Sequence, residues 1–116
     1  MAFAVNVLHH VPKDAWLGFL AEMRRAVRRD GLVVIFEHNP FNPLTRLAVR
    51  RCRFDDDCTL LRRREVSTLF PKAELRVERW AYILFFPWTW RPFADLEELL
   101  ASVPIGAQYF VAGRPA

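Results

Sequence analysis

Glycine is scarce in this sequence, and its positions exclude two common nucleotide-binding loops. The four glycines among 116 residues are Gly18, Gly31, Gly106 and Gly113. No two of them fall within one phosphate-binding turn, so the chain has neither a dinucleotide fingerprint nor a P-loop. Its two serines lie in predicted helices and outside any Gly-x-Ser-x-Gly elbow, which argues against a serine nucleophile.

Cysteine and histidine are also too few for a disulfide framework or a metal site. Cys52 and Cys58 are the only cysteines, and we predict that both are free thiols of a reducing cytoplasm. The three histidines, two of them adjacent, form no zinc-binding spacing with them. The acidic run at residues 55–57 lacks the alternate spacing and the glycine of a calcium loop, and predicts a solvated loop. We therefore expect no bound metal.

Long hydrophobic segments are absent. The longest apolar and aromatic run covers residues 80–90, contains Pro87, and is about half the length of a membrane span. The first residues do not combine the basic flank, apolar core and cleavage site of a signal peptide. These features predict a soluble, cytoplasmic protein without a membrane span.

Basic charge is present but mild. The net charge of +4 comes almost wholly from arginine, since Lys13 and Lys72 are the only lysines. This balance permits an anionic ligand without requiring one. The arginine pairs fall on predicted helices with no stacking aromatic residues between them, so we interpret them as solvated helix faces and expect no nucleic acid partner.

The hydrophobic content is high for so short a chain. A fraction of 53% argues for a globular chain, and the length allows a single domain over residues 1–116. A domain of this size buries only about two-thirds of the surface that its unfolded chain exposes. The composition therefore predicts apolar surface that remains exposed unless another body covers it.

The first 38 residues predict two parallel strands joined by a helix. A buried strand is predicted over residues 1–8. A helix is predicted over about residues 13–29, where one face carries Trp16, Leu20, Met23 and Val27 at spacings of four, three and four. Gly31 is expected to end it in the left-handed conformation. The β-branched, unalternating run at 32–38 predicts a strand buried on both faces.

The rest of the chain predicts short helices and two late strands, which completes a layered α/β fold. Helices are predicted at residues 44–51, 60–70 and 92–103, and strands at 74–86 and 106–113. The aromatic residues near the first of these strands are Trp80, Tyr82, Phe85, Phe86, Trp88 and Trp90. We interpret them as core or sheet-face residues, with an apolar acceptor pocket or a lipid-facing surface as the alternative.

Polar residues gather where the second predicted strand ends, in the segment FEHNPFNPLTR at residues 36–46. Open α/β sheets bind ligands at the carboxyl ends of their strands, so Glu37, His38 and Asn39 predict a cleft rim braced by two prolines. An ionised Glu37 is expected to be partly exposed, or else bonded to a neighbouring arginine, histidine or backbone amide. The alternative is that the Asn-Pro pairs merely form turns. For His9 and His10, the alternative is a helix-entry turn with one ring packed and one solvated.

The stretch VLHHVPKDAWLGFLAEMRRAVRRDGLVVIFEHNP resembles the second half of class I S-adenosylmethionine-dependent methyltransferases. Leu8, His9 and His10 resemble the turn after that family's fourth strand, and residues 25–31 resemble its Arg-rich, glycine-stopped helix end. FEHNPFNPLTR, CRFDDD and IGAQYFV are similar to a bacterial subgroup with an EHNPxNPxT motif. The resemblance implies a Rossmann-like fold whose mixed sheet has an antiparallel last strand.

The resemblance also implies a reaction and a cofactor. Members transfer a methyl group from S-adenosylmethionine to an acceptor, here expected to be a small or lipid-like molecule. The family's glycine-rich loop and ribose-binding acid precede its fourth strand and have no counterpart in this sequence. Residues 1–116 are therefore expected to be a partial domain, from the fourth to the seventh strand, that is inactive alone.

Position within the family implies roles for nine residues. The expected cofactor contacts are Ala4, Val5 and Asn6. Methyl transfer needs alignment and sometimes a base that removes the acceptor's proton. The candidate catalytic residues are His10, Glu37 and His38. The expected acceptor contacts are His9, Asn39 and Asn42.

A function of another class is an alternative. Without the cofactor half, the chain would be a non-catalytic remnant or an interaction module. A strand that begins at Met1 presents an unpaired sheet edge, which invites self-association or a partner. The aromatic run would then offer a lipid-facing surface.

Overall fold

The computed structural model describes residues 1–52, 59–85 and 91–116, without the side chains of residues 91–94. The strands are β1 (Ala2–Val5), β2 (Val33–His38), β3 (Leu75–Ile83) and β4 (Gln108–Pro115). The helices are α1 (Trp16–Ala26), α2 (Pro43–Arg51), α3 (Arg63–Lys72) and α4 (Arg91–Leu99). The acidic run, Cys58 and the aromatic residues Phe86, Trp88 and Trp90 lie outside the described residues, so their predicted roles stay predictions.

The four strands form one mixed sheet in the order β1-β2-β4-β3. β1 runs parallel to β2, with Ala4 opposite Ile35. β4 lies between β2 and β3 and is antiparallel to both. The predicted α/β class, with a mixed sheet and an antiparallel last strand, is confirmed.

The core lies between one face of the sheet and helices α1 and α3. Trp16 and Leu20 of α1 and Phe70 of α3 are buried against it. A Cβ atom at Gly113 of β4 would stand 2.8 Å from Phe70 Cδ1 and 2.5 Å from the carbonyl oxygen of Arg76. Glycine at that position therefore allows the Phe70 ring to pack directly on the sheet.

The burial prediction is right for one face of β2 and wrong for β1. In β2, Val33 and Ile35 are fully buried on the face that the helices cover. On the other face Val34 is buried, but Phe36 is only half-buried. In β1, Phe3 is 62% exposed and Val5 48% exposed. β1 is the edge strand of the sheet, and no described element covers the face that these two side chains share.

The helix ends differ from the predicted ones for local reasons. Residues 13–15 form a 3₁₀ turn, and Val27 is already extended, so the α-helix between them is shorter than predicted. The expected left-handed Gly31 is wrong, since no described glycine has a positive φ. Gly31 instead fits closely beside Val27, where a Cβ atom would stand 2.7 Å from the valine Cβ. Pro71 lies in the last turn of α3 and not beyond its end.

None of the described helices has both the length and the apolar character needed to cross a membrane.

Candidate functional site

The end of β2 directs a carboxylate into the interior. Glu37 is 1% exposed, and its Oε2 lies 2.6 Å from Nδ1 of the equally buried His9. Its Oε1 accepts from the backbone amides of Leu8, at 2.6 Å, and His9, at 3.3 Å. A buried carboxylate requires such partners, because its desolvation is otherwise costly. The expectation that Glu37 is bonded to a histidine or a backbone amide is confirmed.

These bonds hold the turn that follows β1. The turn begins at Asn6, whose φ is 54°, and continues as a 3₁₀ turn over Leu8–His10. On one side, Glu37 accepts hydrogen bonds from the backbone amides of Leu8 and His9 in this turn. On the other side, the Trp16 indole donates to the carbonyl oxygens of Leu8, at 3.0 Å, and Val11, at 2.8 Å. The carboxyl ends of the two parallel strands are therefore joined rigidly.

Three imidazole rings meet at this edge of the sheet. The His9 ring centre lies 4.1 Å from that of His10 and 5.2 Å from that of His38. His9 is buried, His38 is half-buried and His10 is exposed. A carboxylate at Nδ1 fixes the orientation and tautomer of a histidine ring. The structure thus brings the candidate catalytic residues His10, Glu37 and His38 together around His9.

Asn39 is held by main-chain groups. It is fully buried, and its Nδ2 donates to the carbonyl oxygens of Pro104, at 3.1 Å, and Gly106, at 2.7 Å. Its Oδ1 accepts from the amide of Phe41 at 3.1 Å. The side chain therefore ties the end of β2 to the segment that precedes β4.

Asn42 binds the same segment and also caps α2. Its Oδ1 accepts from the Thr45 amide at 3.0 Å, and its Nδ2 donates to the Ile105 carbonyl oxygen at 2.7 Å. An asparagine in this position satisfies one of the free amides of the first helical turn. The contacts of Asn39 and Asn42 with an acceptor stay predictions.

The expected cofactor contacts lie at the end of β1. Ala4 is buried, Val5 is exposed, and the left-handed Asn6 is half-buried with its Oδ1 3.5 Å from Nε2 of Gln108. Asparagine tolerates this backbone conformation better than most residues. No glycine-rich turn for the rest of S-adenosylmethionine occurs among the described residues, and the contact stays a prediction.

No group of three His, Cys, Asp or Glu side chains in the described part of the chain is arranged to hold a metal ion.

The fold also builds a basic aromatic cavity of about 530 Å³. An apolar acceptor pocket was the alternative interpretation of Trp80 and Tyr82, which both line it, but the arginines of the cavity were not predicted. Its charged and aromatic lining residues are Phe41, Arg62, Arg63, Arg64, Trp80 and Tyr82. The Arg63 guanidinium lies 3.6 Å from the centre of the Trp80 ring. The interpretation of these arginines as a solvated helix face is therefore wrong for Arg63. No aromatic residue lies within five residues of them in the sequence, so the contact with Trp80 could not be read from local pattern. The available signal was the alternation of Trp80 and Tyr82, which places both side chains on one face of β3.

Comparisons with known proteins support the fold. No protein-family model matches this chain, and no curated protein sequence does. Among solved structures, the pyocyanin biosynthetic protein PhzM matches with a TM-score of 0.66 and 16% identity, over 98% of this chain and 29% of PhzM. An S-adenosylmethionine-dependent methyltransferase from Archaeoglobus fulgidus matches with a TM-score of 0.66 and 10% identity, over 97% of this chain and 57% of that protein. The small RNA methyltransferase HEN1 matches with a TM-score of 0.60 and 14% identity, over 97% of this chain and 13% of HEN1.

These likenesses establish the Rossmann-like fold of methyltransferases over this chain. At identities of 10–16% they show the fold alone. The chain spans less than two-thirds of the length of each of these three proteins. The subgroup with the EHNPxNPxT motif stays a prediction.

Proposed function

We propose that this chain is the acceptor-side part of an S-adenosylmethionine-dependent methyltransferase. The observation that supports it is the buried pair of Glu37 and His9, which joins the carboxyl ends of β1 and β2. Open α/β sheets bind ligands outside the carboxyl ends of their strands. A buried ionisable pair at that edge is a physically motivated functional-site candidate.

The roles follow from exposure and contact. S-adenosylmethionine supplies, when bound, a methyl group on a sulfonium sulfur. His10 is exposed beside His9, and it takes the proton that the acceptor loses when its bond to the methyl carbon forms. Glu37 fixes the buried His9 ring, against which the His10 ring packs. We propose this positioning role in place of the acceptor contact implied for His9 and the catalytic role implied for Glu37, because both side chains are buried. The acceptor is a small or lipid-like molecule that enters beside His38.

A titration with S-adenosylhomocysteine tests the location of the site. The methyl-depleted cofactor is added to the chain, and ring and amide resonances are followed by NMR. We expect saturable shifts at Asn6, His10 and His38 and none at Arg25, an exposed residue of the last turn of α1. A folded chain that shows no shifts at millimolar ligand overturns the proposal for this chain.

A second experiment tests the role of His10. Because residues 1–116 are expected to be inactive alone, the chain is joined to a cofactor-binding half in a reconstructed enzyme. Methyl-labelled S-adenosylmethionine is incubated with that enzyme and a bacterial small-molecule extract, and label in the products is counted. If the chain transfers methyl groups, His10→Gln should reduce the label about a hundredfold with an unchanged melting temperature. Lys13→Gln, an exposed change in the next turn, should leave the label unchanged. Equal label with His10→Gln and the parent contradicts the assigned role.

A second candidate function is an interaction module that pairs through β1. The observation that favours it is the exposure of Phe3 and Val5 on an edge strand. Unpaired strand edges with apolar side chains promote association. Sedimentation velocity at increasing concentration should then reveal dimers, and Val5→Lys should abolish them. A chain that stays monomeric at high concentration excludes self-pairing.

A further inference from the structure

The basic aromatic cavity lies at the opposite edge of the sheet from β1. Its walls come from the start of α3, from β3, from Phe41, which follows the end of β2, and from Ser102 and Pro104, which precede β4. Neither Glu37 nor His9 lines it. It is therefore distinct from the imidazole cluster, although its lining residues Phe41 and Pro104 are both hydrogen-bonded to Asn39.

The charge of the cavity is one-sided. Arg62, Arg63 and Arg64 line it, and no carboxylate is among its described lining residues. The nearest acid in sequence, Glu65, directs its Oε2 to the backbone amide of Arg62 at 2.6 Å. Three guanidinium groups in one concave site repel each other, and no described carboxylate in the lining offsets their charge. An anion would relieve that repulsion, so the cavity attracts one.

The Arg63 side chain is held in place by aromatic rings, and one of its hydrogen-bond donors has no partner among the described residues. The Trp80 ring supports its guanidinium at 3.6 Å, and the Tyr82 ring centre is 5.9 Å away. Its Nε is buried and has no hydrogen-bond partner in the part of the chain that the structure describes. Its Nη1 donates to the Ser67 hydroxyl at 3.5 Å. A buried polar atom without a partner is uncommon, and a ligand oxygen would satisfy it.

The rest of the lining suits a flat ring. Phe41 and Tyr82 supply aromatic surface, and the Arg62 guanidinium lies 5.4 Å from the Phe41 ring centre. A cavity of about 530 Å³ is in the size range of small-molecule sites. Arginine forms paired hydrogen bonds to carboxylates and stacks on aromatic faces.

We propose that this cavity binds a small planar aromatic anion. The acid group accepts from Arg63, with Arg62 and Arg64 supplying further positive charge. The ring lies against Phe41 and Tyr82. Trp80 contacts Arg63 and keeps its guanidinium oriented for the acid.

Binding of matched probes tests the proposal without any cofactor. The chain is titrated calorimetrically with 2-naphthoate and with 2-naphthalenemethanol, which has the same ring and no charge. We expect the carboxylate to bind at least about tenfold more tightly, since hydrogen bonds to charged groups discriminate on that scale. Its affinity should also fall as salt is added. Equal affinities, or no binding of 2-naphthoate at millimolar concentration, overturn the proposal.

Variants locate the bound probe. Arg63→Gln should weaken the binding of 2-naphthoate about ten- to a hundredfold. Arg63→Lys should retain only part of the parent's affinity, because an ammonium group lacks the planar fork of donors that a guanidinium presents. Arg79→Gln is the matched control, since Arg79 is an exposed arginine of β3 outside the cavity lining. Amide NMR spectra verify that each variant is folded. Parent-like affinity of a folded Arg63→Gln overturns the assignment.

The remaining outcome concerns nucleic acid. Arginine and aromatic residues together also bind single-stranded nucleic acid. A single-stranded oligonucleotide that binds more tightly than 2-naphthoate, with the same loss in Arg63→Gln, would replace the small-molecule proposal. Failure of either cofactor experiment described above leaves these binding measurements unaffected, so the two proposals can fail separately.

Discussion

The two faces of the sheet are made by alternate residues of the same strands, yet α1 and α3 cover only one of them. On the covered face, Ile35 and Val111 are fully buried. On the other, Phe3 and Val5 of the edge strand are largely exposed. Alternation assigns side chains to faces, but it does not supply the second layer that buries them. The covered face therefore carries the stability, and the other face remains available to another body.

The exposed face continues across the centre of the sheet. Phe36 and Phe110 are half-buried, with ring centres 5.7 Å apart. Together with Val34 and Ala112 they line an open apolar depression of about 340 Å³. This surface accounts for part of the high hydrophobic content of the chain.

The largest expected contrast is between two phenylalanines on opposite faces. Phe70→Ala removes a fully buried ring, and we expect a loss of about 3–5 kcal/mol in the free energy of unfolding. Phe3→Ala removes an exposed ring and should change that free energy by less than about 0.5 kcal/mol. Urea unfolding measures both. Similar losses would mean that the outer face is covered in solution, for example by a second copy.

The next contrast concerns charge on the covered face. Glu37→Ala leaves His9 and two backbone amides without their buried partner, so we expect a loss of about 3 kcal/mol. Glu22→Ala breaks an exposed pair with Arg25 and should have little effect, because solvent screens that pair. Thermal unfolding of both variants provides the measurement. A tolerated Glu37→Ala would show that the pair is dispensable for folding.

A smaller effect on stability is expected from replacing the two asparagines that follow β2, Asn39 and Asn42. Asn39→Ala removes three hydrogen bonds of a buried side chain and should cost about 1–3 kcal/mol. Asn42→Ala removes the α2 cap and a surface bond and should cost about 1 kcal/mol. Chemical unfolding ranks the two variants. The reverse order would place the main anchor of the loop at Asn42.

The smallest effect depends on pH. Burial first, and then the charge of Glu37, raise the pKa of Tyr109 above its ordinary value of 10.0. The folded chain keeps that proton at pH values where the unfolded chain releases it. The contribution of the protonated Tyr109 hydroxyl to the free energy of unfolding is therefore complete below pH 10.0, and it declines as the pH rises further.

Tyr109→Phe should test this dependence. It loses the bond from the hydroxyl to the Leu61 carbonyl oxygen, at 2.8 Å, and should be about 1 kcal/mol less stable at neutral pH. The deficit should shrink above pH 10.0, because phenylalanine has no proton to lose. Urea unfolding at neutral and alkaline pH measures the difference. Parallel profiles for the parent and the variant would contradict the raised pKa.

Local pattern was sufficient for much of the fold. The spacing of Trp16, Leu20 and Met23 predicted α1, and the β-branched run predicted the strand β2, although only one face of that strand is fully buried. These features depend on neighbours within a few residues, where periodicity determines which side chains share a face. The motif EHNP likewise marked the sheet edge at which Glu37 and three histidines meet.

Only the tertiary structure decided which of those residues are paired. Glu37 meets His9 across 28 residues, Asn39 meets Gly106 across 67, and Arg63 meets Trp80 through the packing of α3 against β3. The exposure of β1 was likewise set by strand order. Sequence periodicity assigns a side chain to a face, but a contact between distant segments depends on how helices and strands pack. That packing placed a buried carboxylate at one edge of the sheet and an arginine cavity at the other.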